Sequence, residues 1–286
     1  MPSNSLEIRK LTPVIGAEIF GVDLAAPMDS QTFDTIHQAL MDNLVIFFRD
    51  QTMDHAQQTA FGARFGKLHI HPAAPSVPGH PEVMIIHADA NSKYVNGESW
   101  HSDVSCDEEP PMGSILHIGT LPEVGGDTMF ANMYAAFDAL SKPMQEMLSS
   151  LTALHDGELL YRGRYTSNDT GRVYPKANHP VIRTHPVTGR QALFVNSFFT
   201  ARINELSRAE SDALLAFLFR HIETPEFACR FRWQRNSVAF WDNRSAQHHA
   251  LWDYFPNTRS GTRVTIQGDR PFHRQQVIER AVQAPP

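Results

Sequence analysis

The sequence predicts a mainly β fold, a sandwich or jelly roll with helical cover. Three observations predict it. From residue 83 onward the chain is a succession of short β-branched and aromatic runs separated by turn residues. Only a few segments carry helical spacing. The composition, 42% hydrophobic and 20% charged over 286 residues, supplies apolar mass for a sizeable core. One domain over 1–286 is expected, because Pro and Gly gather locally at 72–81 and 110–111 without forming a linker.

Taken in order, the N-terminal third mixes both element types. Residues 17–22 and 44–48 read as strands. Between them, 30–41 places Phe33, Ile36, His37 and Leu40 at helical spacing. Thr52 has the chemistry of an N-cap for a helix through Phe65, with Gly66 as its stop. Strands follow at 83–87, 100–105, 114–118, 128–132, 181–184, 192–196, 227–232, 238–241, 247–251 and 263–267. Helices are expected at 135–150 and 208–222, and a hairpin turn at Thr188-Gly189. The segment 160–178 is polar and Gly-containing. A loop of that length is usually functional, and it is expected to be a lid over the active site. Residues 283–286 read as a frayed tail.

The formal net charge is −6 with neutral His, and no Lys/Arg-rich run appears, which argues against nucleic acid as the main partner. The longest apolar run, near 44–48, is too short to span a bilayer. The N-terminus lacks the charged-then-apolar order of a signal peptide. A cytoplasmic protein without a membrane partner is expected. There are 15 His but 2 Cys and no CxxC, so a zinc site built on cysteine pairs is excluded. Any metal ligands should be imidazole and carboxylate. Cys106 reads as a small apolar filler.

Two histidines and one carboxylate on one face of an open site bind non-haem Fe(II) and leave positions for a co-substrate and O₂. Residues i and i+2 of a strand point the same way, so His-x-Asp can chelate from one face. With 15 His and 17 Asp in 286 residues, chance gives about one such tripeptide. The sequence has two. His87-Ala88-Asp89 ends an apolar strand and reads as structural. His101-Ser102-Asp103 follows a loop containing Gly97 and is the candidate. A lone strand His is more often core, and an Arg pair near a chain end more often solvated. Order is what raises the odds: His-x-Asp, then Gly125-Gly126-Asp127-Thr128, then Trp241-Asp242-Asn243-Arg244 and His248, then Arg259 and Arg263. His249 and His69 are expected to face away from His248 and His71. Trp241 and Trp252 read as core or site walls, and Glu108-Glu109 as a solvated loop.

With these motifs the sequence resembles the taurine/2-oxoglutarate dioxygenase group, which includes aryloxyalkanoate and alkylsulfate dioxygenases. The resemblance covers about 16–272. Its further markers are Phe65-Gly66-Lys67-Leu68-His69-Ile70-His71-Pro72, Arg183-Thr184-His185-Pro186, residues 192–196 and Gly268-Asp269. It implies a double-stranded β-helix and Fe(II) held by His101, Asp103 and His248, with 2-oxoglutarate and O₂ as co-substrates. It implies that Arg259 pairs with the distal carboxylate of 2-oxoglutarate, helped by the Thr128 hydroxyl. Arginine suits this, because its planar fork matches a carboxylate. By the same matching, His71, the backbone of Val104, Phe199 and Arg263 contact the anionic group or body of the substrate. Arg263 also falls near the proximal carboxylate of the co-substrate.

The departures carry information about the substrate. Taurine-specific members have a Tyr where this chain has Ala74, and an Asn where it has Gly97, with Asn96 one step away. Leu160-Tyr161 replaces a Ser-Phe pair. Loss of the Tyr ring predicts a larger pocket and a bulkier or less polar anion than taurine. The reaction implied is hydroxylation of a small organic anion, a sulfonate or alkyl sulfate releasing sulfite or sulfate, with 2-oxoglutarate converted to succinate. Asp103 favours hydroxylation over halogenation. The alternatives are an aryloxyalkanoate or other carboxylate hydroxylase, a jelly-roll anion-binding protein without turnover, and a Zn²⁺ hydrolase on the same ligands. The resemblance also implies a homo-oligomer, dimer or tetramer.

Overall fold

The run Val45–Phe48 is apolar at every position, which is what a strand covered on both faces requires. It lies near one end of the main sheet in a computed structural model that describes residues 6–71, 74–165 and 170–274. The chain begins β1 (Glu7–Lys10), β2 (Ala17–Phe20), α1 (Ser30–Asn43), β3 (Val45–Phe48), α2 (His55–Ala63), β4 (Leu68–His69), β5 (Ser76–Val77) and β6 (His80–Ala88). It continues β7 (Gly113–Thr120), β8 (Thr128–Asn132), α3 (Met133–Asp138), α4 (Lys142–Leu148), β9 (Thr152–Asp156), α5 (Glu158–Tyr161) and β10 (Lys176–Pro180). Then come β11 (Ile182–Thr184), β12 (Gln191–Leu193), β13 (Thr200–Ile203), α6 (Arg208–Ile222), β14 (Ala228–Phe231), β15 (Ser237–Asp242), β16 (Ala246–Ala250) and β17 (Arg259–Ile266).

The main sheet has the order β1-β2-β3-β15-β7-β17-β6-β5, with β4 added to β17. A second sheet, β14-β8-β16, faces it. Side chains of both sheets share one core: Phe47 of β3 stacks on Phe231 of β14 at 3.9 Å between ring centroids. The other face of β3 presents Ile46 and Phe48 to α1 and α2, where Ile36, Leu40 and Phe61 complete a second core layer. The apolar mass is thus divided between a sandwich interior and a helix-covered outer face. Among the described residues, no helix is long and apolar enough to cross a membrane.

Several expected boundaries move, each for a local reason. The helix expected from Thr52 begins two residues later, because Asp54 accepts from Gln57 N while the Gln57 side chain returns to Asp54 N. The single helix expected over 135–150 is two, since Ser141 opens a new helix with a proline in its first turn. The strand expected over 192–196 ends at Leu193, where its ladder with β11 ends. The one expected over 227–232 is a 3₁₀ turn, Pro225–Phe227, followed by β14. The last strand starts at Arg259 rather than Arg263, which puts both arginines on one element.

The largest correction is at 100–105, which is not a strand. His101 makes one isolated antiparallel bridge with His248, and the chain then turns. Strands β1, β4, β5, β9, β10 and β13 lie outside the expected set. In β9 and β10 the buried member of each alternation includes a histidine, His155 or His179, which hides the apolar period. Of the segment 160–178, the start belongs to α5 and the end to β10, while 166–169 lie outside the described residues. The tail at 283–286 also lies outside them.

Gly261 in β17 sits beside a register shift against β7. A Cβ there would collide with the carbonyl oxygen of His117 and approach Ile118 Cα at 3.0 Å, both backbone atoms. Gly261→Ala is therefore expected to cost about 3 kcal/mol, as overpacking against unyielding backbone does. Denaturant unfolding would record a lower midpoint at unchanged slope.

Candidate metal centre and substrate pocket

The bridge between His101 and His248 is made by His101 N donating to His248 O at 3.1 Å and His248 N donating to His101 O at 2.9 Å. Residues directly opposite in an antiparallel bridge project from the same face. Their rings accordingly lie 4.1 Å apart. Asp103 joins them by a turn rather than by strand alternation. Ser102 Oγ donates to Asn243 O at 2.7 Å, and Asp103 N donates to Asn243 Oδ1 at 3.2 Å. Val104 follows at φ 47, a left-handed value that a β-branched residue rarely adopts. All three side chains are buried, and one ligand atom from each lies within 4.8 Å of the others.

The fit to a metal is decided by proton positions. His101 Nδ1 donates to Ser99 O at 2.8 Å, so its Nε2 carries the lone pair. That Nε2 is 3.7 Å from Asp103 Oδ1, and His248 Nε2 is 4.0 Å from the same oxygen. Burial, with His101 beside it, holds the His248 imidazole well below its ordinary pKa and leaves it neutral. Burial alone would raise the pKa of Asp103, but Arg263, then His248 and His101, hold it well below the carboxylate range. A neutral His248 imidazole, the His101 Nε2 left over by the Nδ1 hydrogen bond, and one carboxylate, gathered at one point and closed to bulk water, suit a divalent cation.

Asp103 is held twice more. Ser114 Oγ donates to its Oδ2 at 2.7 Å, and Arg263 Nη1 donates to its Oδ1 at 2.5 Å. Asn243 links the supports, since Oδ1 also accepts from Trp241 Nε1 at 2.9 Å while Nδ2 donates to Ser114 Oγ at 3.1 Å.

Arg259 and Arg263, four apart on β17, both line the pocket. Arg259 Nε donates to Gly126 O at 3.0 Å, and its Nη2 lies 3.5 Å from Thr128 Oγ1. Trp233 Nε1 donates to that same hydroxyl at 3.0 Å. Gly126 has φ 75, and a Cβ there would stand 3.1 Å from Arg259 Cδ, so glycine makes room for the guanidinium. Arg259 is 5% exposed, and no ion pair to a carboxylate is formed by it among the described residues. A buried, unpaired cation is costly and calls for an anion.

The pocket wall facing these groups is formed by His71, Val104, Tyr161, Phe199 and Gly97, together with Leu160, Arg164, Tyr165 and Phe198. His71 accepts from Ala74 N at 2.9 Å on Nδ1, so Nε2 bears the proton. Burial and Arg263 lower its pKa to about 3, so it stands as a neutral donor. Ala74 does not line the pocket. Instead of the larger pocket expected there, Tyr161 and Tyr165 set their rings 5.5 and 6.0 Å from His71. Gly97 works by absence: at φ 88, its missing Cβ would be 3.1 Å from His101 Cε1.

Arg164, Tyr165, Phe198, Ser99, Ser114 and Trp233 were not singled out from sequence. Arg164 and Tyr165 fall in the segment 160–178, where the expectation of a lid names no individual side chain beyond Leu160 and Tyr161. The remaining conspicuous residues take bland places. His87 pairs with Asp89 at 3.5 Å on the surface, His69 with Asp107 at 3.0 Å, and His249 packs on Trp100. Cys106 is buried with Val104 and Phe199, and burial pushes its thiol up.

Fold and site together define a class: a double-stranded β-helix protein carrying a facial two-histidine, one-carboxylate constellation beside buried arginines. Residues 7–265 match the family described as "Taurine catabolism dioxygenase TauD, TfdA family". The chain is 36% identical over 278 residues to an alpha-ketoglutarate-dependent sulfate ester dioxygenase of Pseudomonas putida, covering 93% of this chain and 91% of that protein. It is 33% identical over 279 residues to an alkylsulfatase of Acinetobacter baylyi, covering 94% and 87%. The crystal structure of a taurine dioxygenase from Burkholderia xenovorans superposes with a TM-score of 0.83 at 36% identity, covering 94% and 91%. This protein belongs to the TauD/TfdA dioxygenase family.

Replacing Asn243 tests the support of Asp103. Asn243→Ala leaves the Asp103 and Trp241 N–H groups unpaired, at a cost of about 2–3 kcal/mol. Loss of an outer-shell partner should also weaken Mn(II) binding roughly 10–100-fold. Chemical denaturation and anaerobic metal titration check the two effects separately.

Proposed function

We propose that this protein is an Fe(II)- and 2-oxoglutarate-dependent dioxygenase that oxidises a small organic sulfate ester or sulfonate. Hydroxylation of the carbon that bears the sulfur group is followed by cleavage of its C–O or C–S bond, giving an aldehyde and sulfate or sulfite; O₂ is the oxidant, and 2-oxoglutarate becomes succinate and CO₂. The observation that carries this reading is Arg259: a buried cation with no carboxylate partner among the described residues, on the same pocket as a metal-competent triad. A co-substrate with two carboxylates answers both, one on the metal side and one on the guanidinium.

His101, Asp103 and His248 would hold Fe(II), which supplies O₂ activation when bound. Arg259 binds the distal carboxylate of 2-oxoglutarate through its free donors, while Gly126 and Thr128 fix its orientation. The substrate anion is met by His71 Nε2–H, the Val104 backbone and Arg263. Arg263 is placed for this because Asp103 anchors one end of its guanidinium and its buried Nε has no hydrogen-bond partner among the described residues. Val104, Phe199, Tyr161, Tyr165 and Phe198 give the substrate body an apolar wall and exclude water. The buried, unpaired thiols Cys106 and Cys229 suit a reducing compartment, the cytoplasm.

The deciding experiment is a panel of sulfonates, alkyl sulfates and aryloxyacids, following sulfite, sulfate and succinate separately. Sulfate or sulfite release coupled to succinate is the expected result; hydroxylated aryloxyacid without sulfur release would move the assignment to carboxylate hydroxylation. Chelation of Fe(II) or His101→Ala should lower succinate formation by more than roughly 100-fold. Full turnover without O₂ would exclude an oxygenase. Arg259→Gln should raise KM for 2-oxoglutarate about 30-fold, the loss of about 2 kcal/mol of charge-assisted bonding, with kcat largely kept.

A further inference from the structure

The segment leaving α5 reaches across the pocket mouth. Arg164 Nη1 and Nη2 both donate to Glu98 Oε1 at 3.2 Å, and Nη2 also donates to the Val95 carbonyl. The guanidinium lies over the Tyr94 ring, 4.4 Å from its centroid. One residue on, Tyr165 Oη donates to Asn96 Oδ1 at 3.1 Å. The partners of the guanidinium and of the Tyr165 hydroxyl named here all belong to the loop 94–98, which runs directly into Ser99 and His101.

That loop governs the first histidine. The Ser99 carbonyl accepts the hydrogen bond from His101 Nδ1–H and so orients its ring. Gly97 gives the ring its space, and its carbonyl accepts from Ala250 N at 2.8 Å, tying the loop to β16. Exposed ion pairs contribute little, but the Arg164 side chain is only 11% exposed and its contacts converge on one loop. Its Nε is buried with no hydrogen-bond partner among the described residues, on a residue that lines the pocket.

We propose that Arg164 is a positioning residue: it latches the substrate-side wall to the loop that orients His101, and its Nε–H is where a substrate oxyanion joins the latch. Filling the substrate space and ordering the first histidine are then one event. Co-substrate consumption without substrate is suppressed by the same contact. The mechanical link rests on the contacts alone; its effect on turnover rests on the dioxygenase reading above.

Hydrogen exchange on the full chain tests the link. In Arg164→Met, amides of 94–99 should exchange about fivefold faster although the substitution lies on the opposite wall, with global stability unchanged. Glu98→Gln should have a similar effect, and the double variant should be no worse than either alone. Faster exchange confined to 158–165, or additive effects, would overturn the latch. With Fe(II), 2-oxoglutarate and the best substrate of the panel, Arg164→Met should raise substrate KM about fivefold, hold KM for 2-oxoglutarate, and form more succinate per substrate oxidised. An unchanged substrate KM and ratio would overturn the functional part. If the unsubstituted protein oxidises nothing on the panel, the substrate reading fails while the exchange data still decide the latch.

Discussion

The carboxylate of Asp103 is the constraint on which the site depends. A charge at 3% exposure survives only if each oxygen is met by donors or a cation. Oδ2 is met by Ser114 from β7, and Oδ1 by Arg263 from β17. The peptide of Asp103 is met by Asn243, just beyond β15. These adjacent strands of the main sheet thus converge on one side chain. The His101–His248 bridge delivers the opposing imidazoles from the second sheet. The metal-competent face exists because the sandwich brings its two halves together there.

Electrostatics divides the pocket into unlike ends. Near Asp103 the cation of Arg263 is largely compensated. Around Arg259 it is not, and the polar neighbours, Gly126 O and the Thr128 hydroxyl, hold the guanidinium without neutralising it. Neutral His71 adds a hydrogen bond without a third charge. A pocket of this kind binds two anionic groups differently, one as the counter-ion of a fixed cation and the other by shared donors.

Much of this arrangement could be read from the chain. His101, Asp103, Thr128, His248, Arg259 and Arg263 were chosen by motif order, and all six line one pocket. Order works because each motif sits at a strand end or a bridge where the backbone fixes direction. What could not be read is the turn that carries Asp103. Local spacing gave i, i+2 on a strand, whereas Asn243, 140 positions away, sets the actual path. The pocket wall is legible only in part. The resemblance points to Tyr161 and Phe199 as well as to Ala74, but Ala74 stays off the wall and the second ring beside His71 belongs to Tyr165, nearly a hundred residues on. Long-range packing leaves no period in the sequence.

The placement of both pocket arginines on β17 has a consequence for how such a protein can change. β17 is an interior strand, paired to β6, β7 and β4. A one-residue slip would turn Arg259 and Arg263 out of the pocket together. The anion-reading apparatus is therefore inherited as a block and resists piecemeal revision. The wall from Leu160 to Tyr165 carries no sheet ladder, so it can be rewritten without disturbing that block. New substrates are open to such a lineage through the wall, while the chemistry at the centre stays conservative.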